Sequence, residues 1–386
     1  MNKITYIIQI MALFLLAGSC SVEEEIGGDT PPAREDGAVE FLATLGSVED
    51  GPGGSESDKY EANYFDEDGE IRIYCPVNYS TPHFEDGASG MHIYKYNPQL
   101  ILEPGNTDWS NWPYKFAAGE DGGFNWLTLQ PTSIYYTFEA LHFPGKKYLD
   151  KVPFNQNEGD NLKIADMLIA YHRQSLDLKG QPVKLTFYHA FAKVKVIVKL
   201  PVSQDVTEGP FPSKALKAVY MKDMLTGYEV NYTQVISNDA LRKVTAKSDS
   251  NDGREDVYMQ EISCNELDEV RDKDNNLIVD ENNNPIKYEE YIYEGIVPEQ
   301  KFLSEGQDFI YFQVQTHDRD KLVTYRLKPN SVGEDGATLS LTSSEVLVLN
   351  LLVDKNESEV VVLTAEVKPW NKAETNMVIQ PKPKSN

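Results

Sequence analysis

From Lys193 to Leu200 the chain alternates strictly: Val194, Val196, Val198 and Leu200 fall on one side, Lys193, Lys195 and Lys199 on the other. Only an extended strand returns every second side chain to the same face, so this segment reads as a strand with one buried face and one wet face. The same period of two recurs in Val39 to Leu45, Ile71 to Cys75, His92 to Tyr96, Ile134 to Phe143, Lys184 to His189, Phe309 to Gln315, Val346 to Val353 and Val360 to Val367. Turn chemistry lies between the runs, at Asp66-Glu67-Asp68-Gly69, Thr226-Gly227, Asp335-Gly336 and Asp354-Lys355-Asn356. Many short strands with little helical periodicity predict an all-β chain built of β-sandwiches. Asn161 to Ser175 is the ambiguous stretch. Leu162, Ala165, Ile169 and His172 fit a helical face, whereas Ile164 to Tyr171 pairs equally well as a strand.

A chain of 386 residues is long enough for about two domains. With 40% apolar and 11% aromatic residues it can bury sizeable cores. The expected boundary lies near Pro201, where a polar connection with three prolines runs to Pro212, or up to fifteen residues earlier. This gives an N-terminal β-sandwich over 38–200 and a C-terminal one over 201–386. Lys and Arg number 36 against 61 Asp and Glu, a formal charge of −25. Phosphate backbones are bound by clustered cations, so this balance excludes nucleic acid as a partner.

The N-terminus carries an export signal. Lys3 is followed by a mostly apolar run from Ile4 to Leu16, and Ala17-Gly18-Ser19 place small side chains before Cys20. The run is shorter than the ~20 residues that span a bilayer. It resembles a lipoprotein signal peptide, 1–19, in which Cys20 becomes the acylated, palmitate-bearing first residue. Several acyl chains hold a protein durably on a membrane. Residues 20–37 have the composition of a flexible acidic tether. Its start, Ser21-Val22-Glu23-Glu24-Glu25, is similar to the signal that sends lipoproteins of some Gram-negative anaerobes to the outer face of the outer membrane; a solvated acidic tether accounts for it equally. Cys75 and Cys264 remain as free thiols, and the absence of any C-x-x-C pair gives no structural zinc site of the usual spacing.

No catalytic constellation stands out. The six histidines, at positions 83, 92, 142, 172, 189 and 317, include no H-x-H or H-E-x-x-H pair. There is no G-x-S-x-G elbow, Walker A loop or strand-led G-x-G-x-x-G, so neither an enzyme nor a bound cofactor is expected. Asp272, Asp274 and Asn276 imitate the opening of a calcium loop. Leu277 stands where that loop needs Gly, and Asn283 where it needs Glu, so 272–285 reads as a polar hairpin. Trp109, Trp112 and Tyr114 are close enough in sequence to form an aromatic platform for sugar rings, or to pack in a core.

Several segments in order carry a family likeness. Ala165-Asp166-Met167-Leu168-Ile169-Ala170, followed by Val183-Lys184-Leu185-Thr186-Phe187-Tyr188-His189-Ala190-Phe191-Ala192-Lys193-Val194, resembles the central signature of the fimbrillin (Mfa-like) family. Val39-Glu40-Phe41-Leu42-Ala43 is similar to its opening strand and Phe65 to Tyr74 to the continuation. Ile296-Val297-Pro298-Glu299-Gln300 is similar to its Val-Pro-Gln turn, and Glu366-Val367-Lys368-Pro369-Trp370 to its closing strand. The resemblance spans 39 to 370. It implies two transthyretin-like β-sandwich domains and a structural or accessory subunit of a type V pilus, or a related surface lipoprotein, acting in adhesion at the cell surface. It also favours a strand for 164 to 171.

In that family a lipidated precursor is cut after an Arg that follows the first strand. The strand leaves, and its groove accepts a strand from another subunit, so the implied partners are other pilins, the outer membrane and a surface receptor. Between Leu45 and Ile71 this chain has no Arg, and Lys59 is the only basic residue. Lys59 is therefore the candidate processing site for groove opening. Cutting at Arg34, which precedes the first strand, would free the chain from its lipid and leave the groove closed. The alternative reading is a glycan-binding surface lipoprotein that uses Trp109, Trp112 and Tyr114.

Overall fold

The computed structural model describes residues 37–46, 65, 69–76, 81–99, 114–119, 122–131, 134–204, 211–236, 241–247, 253–280, 282–302, 307–318, 321–329, 339–354 and 360–370. Seven strands make the first half: β1 (Phe41–Leu45), β2 (Glu70–Tyr74), β3 (Met91–Tyr96), β4 (Tyr114–Ala118), β5 (Tyr135–His142), β6 (Leu168–Ser175) and β7 (Val183–His189). They are hydrogen-bonded in the order β1-β4-β3-β2-β5-β6-β7 and close on themselves, because β1 bonds to β4 on one side and β7 on the other. Closure leaves no free sheet edge. The interior is packed with aromatic rings, among them Phe41, Phe65, Tyr94, Tyr114, Phe116, Phe138 and Phe187.

The second half is a two-layer sandwich. β9 (Leu216–Leu225), β12 (Arg254–Tyr258), β16 (Ile310–Gln315) and β17 (Leu322–Leu327) form a sheet in the order β12-β9-β16-β17. It faces a five-stranded sheet, β13-β14-β8-β19-β20, made of β8 (Ala192–Pro201), β13 (Gln260–Leu267), β14 (Tyr288–Val297), β19 (Glu345–Val353) and β20 (Val360–Pro369). A hairpin of β10 (Tyr228–Ile236) and β11 (Leu241–Ala246), and the short pair β15 (Gln300–Lys301) and β18 (Ser340–Leu341), complete the strands among the described residues. The chain is all-β, with sandwich-like sheets, as its periodicity predicts.

The lysine-striped strand shows why sequence and sheet agree. Val194, Val196, Val198 and Leu200 are fully buried in the sandwich core. On the opposite face Lys193 meets Glu294 at 3.1 Å and Lys199 meets Glu290 at 3.8 Å, pairs of opposite charge across β8 and β14. A boundary at Pro201 would leave this strand in the first half; it pairs with β14 and β19 of the second. Sheet membership thus changes at Ala190-Phe191, ahead of Pro201. Proline and polar content mark a loop, whereas the switch of sheet occurs at a short apolar bend that carries no loop composition.

Asn161 to Ser175 resolves into both alternatives in succession. A single helical turn, α1 (Asn161–Ile164), precedes β6. The polar segment 272–285 forms two consecutive tight turns of the same design. Asp272 Oδ1 accepts the amides of Asp274 and Asn276, both at 2.9 Å, and Asp280 Oδ1 accepts those of Asn282 and Asn284 at 2.9 and 2.8 Å. These carboxylates serve their own backbone, which is the hairpin reading of the segment. Cys75 and Cys264 are free thiols. Burial pushes the Cys75 thiol up to about 12, so it stays protonated and unreactive at neutral pH.

Candidate functional site

The expected exchangeable strand is a structural stave of the barrel. Phe41, Ala43 and Leu45 of β1 point into the core together with Val39. The Phe41 ring meets Tyr94 edge-on at 4.6 Å and Phe138 at 5.3 Å. Leu42, on the other face, is also fully buried. β1 runs antiparallel to β4, with Phe41 opposite Phe116 and Ala43 opposite Tyr114. It runs parallel to β7, with Phe41 opposite Val183 and Leu45 opposite Phe187.

Both ends of β1 are pinned by the backbone. The Val39 amide donates to the Phe124 carbonyl at 3.0 Å, and the Gly46 amide to the Phe187 carbonyl at 2.8 Å. Gly46 admits no larger residue without displacement, since a Cβ there would come within 2.6 Å of Thr186 Cγ2. Removing β1 would strip Phe116, Tyr94 and Phe138 of their cover and leave two strand edges with unpaired amides and carbonyls. An apolar slot flanked by two such edges is satisfied by another strand of matching pattern.

The other signature residues gather at a second place. His189, at the end of β7, stacks on Trp370 with ring centroids 3.8 Å apart and planes 4° from parallel. Its Nδ1 donates to Asp166 Oδ1 at 2.5 Å, and Lys193 Nζ lies 4.6 Å from the centre of the Trp370 ring. The Trp370 amide donates to the Ser344 carbonyl at 2.8 Å, and the Ser343 hydroxyl donates to the Ala190 carbonyl at 2.7 Å. Around this stack, Leu141, Phe143, Met167, Ile169, Tyr188 and Phe191 form an apolar cluster with Tyr228, Val244 and Ile296. The barrel and the sandwich therefore meet across this cluster, and the central, turn and closing segments of the likeness converge on it, whereas Val39, Phe41, Ala43, Phe65, Ile71 and Ile73 pack in the barrel's own core. In the Val-Pro-Glu-Gln turn the Gln300 side chain accepts from the Leu225 amide at 2.9 Å and donates to the Leu225 carbonyl at 3.0 Å. These residues lock backbone segments together.

The proposed aromatic platform loses one member. Tyr114 is 1% exposed, its ring edge-on to Phe65 at 4.8 Å, so it offers no face to a sugar. Its position on β4 turns it inward opposite Ala43, a placement that sequence proximity to the tryptophans does not reveal. Trp109 and Trp112 lie outside the described residues, as do Cys20, Arg34 and Lys59. Among the described residues there is no group of three or more metal-ligating side chains, and no helix is long and apolar enough to cross a membrane.

No family model matches the chain, and no curated protein matches it. Among solved structures it is similar to a candidate cell adhesion protein from Bacteroides uniformis, at 15% identity and a TM-score of 0.47, covering 87% of this chain and 99% of the other. It is also similar to the tip fimbrial protein Mfa3 from Porphyromonas gingivalis, at 9% identity and a TM-score of 0.37, covering 86% and 98%. A third is a fimbrial assembly protein from Parabacteroides distasonis, at 8% identity and a TM-score of 0.35, covering 86% and 97%. All three of these solved structures are described as cell-adhesion or fimbrial proteins.

Proposed function

We propose that the chain is a fimbrillin-like structural or accessory subunit of a type V pilus, made as a lipid-anchored precursor and acting in adhesion at the cell surface. One observation carries this reading: β1 is a closing stave of the barrel, held by two neighbours and buried on both faces, and the segment after it contains Lys59. A cut after Lys59 would convert β1 from a covalent part of the barrel into a peptide held only by non-covalent contacts. Another subunit's strand then competes for the slot by β-strand addition. Thr375 to Gln380, outside the described residues, is the candidate donor segment.

Acylation of Cys20 would hold the precursor on the outer membrane, and a cut at Arg34 would release it with the slot still closed. The two halves would act as two domains, with the boundary at Ala190-Phe191. The chain needs no cofactor in this role and is not an enzyme. The partners are other subunits and a surface receptor.

The test uses soluble protein lacking residues 1 to 20, treated with a Lys/Arg-specific protease and run unboiled on a denaturing gel, with cut sites read by mass spectrometry. A cut after Lys59 accompanied by a heat-sensitive ladder is the expected result for a shaft subunit. A cut without a ladder would make it a tip or anchor subunit. An uncut Lys59 with no oligomers would remove strand exchange from the account.

A further inference from the structure

Cross-strand register puts one row of large polar-tipped side chains across the four-stranded sheet of the second half. Tyr258 on β12 lies opposite Tyr220 on β9, Tyr220 opposite Tyr311 on β16, and Tyr311 opposite Arg326 on β17. Their sequence neighbours Val219, Met221, Val257, Met259, Ile310, Phe312, Tyr325 and Leu327 are all buried in the sandwich core. Strand alternation therefore turns the three tyrosines and the arginine away from the core, where Tyr220 is half-buried and Tyr311, beneath Lys222 and Arg326, is only 8% exposed. Ring centroids are 5.3 Å apart between Tyr220 and Tyr258, and 5.4 Å between Tyr220 and Tyr311, with planes tilted by 36° and 53°. The Arg326 guanidinium lies 5.0 Å from the centre of the Tyr311 ring, and Tyr258 is 37% exposed.

Cross-strand aromatic pairs add to the stability of a sheet, and the Tyr258 and Tyr220 rings at the open end of the row also leave aromatic surface to solvent, a feature that marks binding surfaces. We propose that this face is a binding platform for an uncharged glycan, with Tyr258 and Tyr220 stacking on sugar rings and Tyr311 and Arg326 forming its closed end. Three observations select that ligand. The Tyr258 and Tyr220 rings, 5.3 Å apart and tilted by 36°, would give two successive sugar rings of a linear chain one stacking contact each. The charged groups at its border are balanced in pairs, Lys222 with Asp256 at 2.6 Å and Arg326 with Asp308 at 4.0 Å. Such pairs contribute little to stability at a surface. They offer adjacent donors and acceptors to the hydroxyls of a neutral sugar and no net field for a polyanion. A second copy of the chain, with its formal charge of −25, is disfavoured on the same ground.

The proposal is independent of strand exchange: an intact, uncut chain carries the whole row. The test is affinity electrophoresis of the soluble protein through native gels containing yeast mannan, mixed-linkage β-glucan, arabinoxylan or galactan. Polygalacturonate serves as the anionic control. Retardation by at least one neutral polysaccharide is expected. Tyr258→Ala, and Tyr220→Ala together with it, should weaken that retardation at least ten-fold at an unchanged melting temperature, while Tyr258→Phe retains it. The idea is overturned by no retardation in any neutral gel, by retardation that the alanine variants leave intact, or by retardation only in polygalacturonate. Sedimentation that shows a dimer abolished by Tyr258→Ala would also overturn it, by assigning the face to a second copy.

Discussion

Phe41→Ala in the uncut chain is expected to lower the free energy of unfolding by about 3–5 kcal/mol, the range for truncating a buried aromatic ring. Phe41 is fully buried, and its ring braces Tyr94 from β3 and Phe138 from β5. Those rings line the far wall of the barrel, which cannot collapse onto the space that the ring leaves while the strands remain hydrogen-bonded in a closed ring. The transfer cost and the cavity cost therefore add. Urea denaturation followed by circular dichroism measures the loss. Thr44→Ala, on the same strand and only half-buried, should change stability by less than about 1 kcal/mol, which separates loss of core packing from a general weakening of β1. In the cut protein Phe41→Ala should also speed departure of the strand, since the same side chain then anchors a non-covalent ligand.

Trp370→Ala should cost a similar amount, about 3–5 kcal/mol, at the other end of the fold. Trp370 is 6% exposed and lies flat on His189, whose ring also donates to Asp166. Removing the indole would uncover a buried imidazole and open the apolar cluster in which the barrel and sandwich meet. The expected signature is a lower urea midpoint together with new protease cuts between β7 and β8, because Ala190 and Phe191 lose their cover. Trp370→Phe should restore most of the stability, since a ring can still lie on His189, although the Lys193 contact weakens. Unchanged stability in Trp370→Ala would mean that the two halves are held together elsewhere.

Period two located the strands well. Val39 to Leu45, Ile71 to Cys75 and Val346 to Val353 fall on β1, β2 and β19 within a residue or two at each end. It located Val194 to Leu200 as a strand without telling which sheet it joins, because partner choice depends on residues a hundred positions away. The closing of the first seven strands into a barrel was hidden for the same reason: β1 meets β7 only through parallel pairing with Val183 to Phe187. Asp166, His189 and Trp370 were legible as members of recurring motifs, whereas their stacking and hydrogen bond are products of the fold. Tyr114 shows the opposite failure, an aromatic placed near two tryptophans in sequence and turned into the core by its strand.

The tyrosine row carried a weaker sequence signal. Val219-Tyr220-Met221, Val257-Tyr258-Met259 and Ile310-Tyr311-Phe312 each place Tyr between two apolar residues, a pattern that alternation could have marked as outward-facing. Their alignment into a row depends on register, including irregularities between Glu255 and Val257 and between Gln313 and Val314. No local pattern in the chain encodes that register.

The central claim is that β1 is a replaceable stave. The most direct measurement adds an excess of labelled synthetic peptide with the sequence of residues 37–46 to protein cut after Lys59, and follows label in the folded fraction by size exclusion and mass spectrometry. Incorporation of the labelled peptide with release of the native strand, in the cut protein and not in the uncut one, is the predicted result. A cut protein that keeps its own strand and takes up no label would contradict the account.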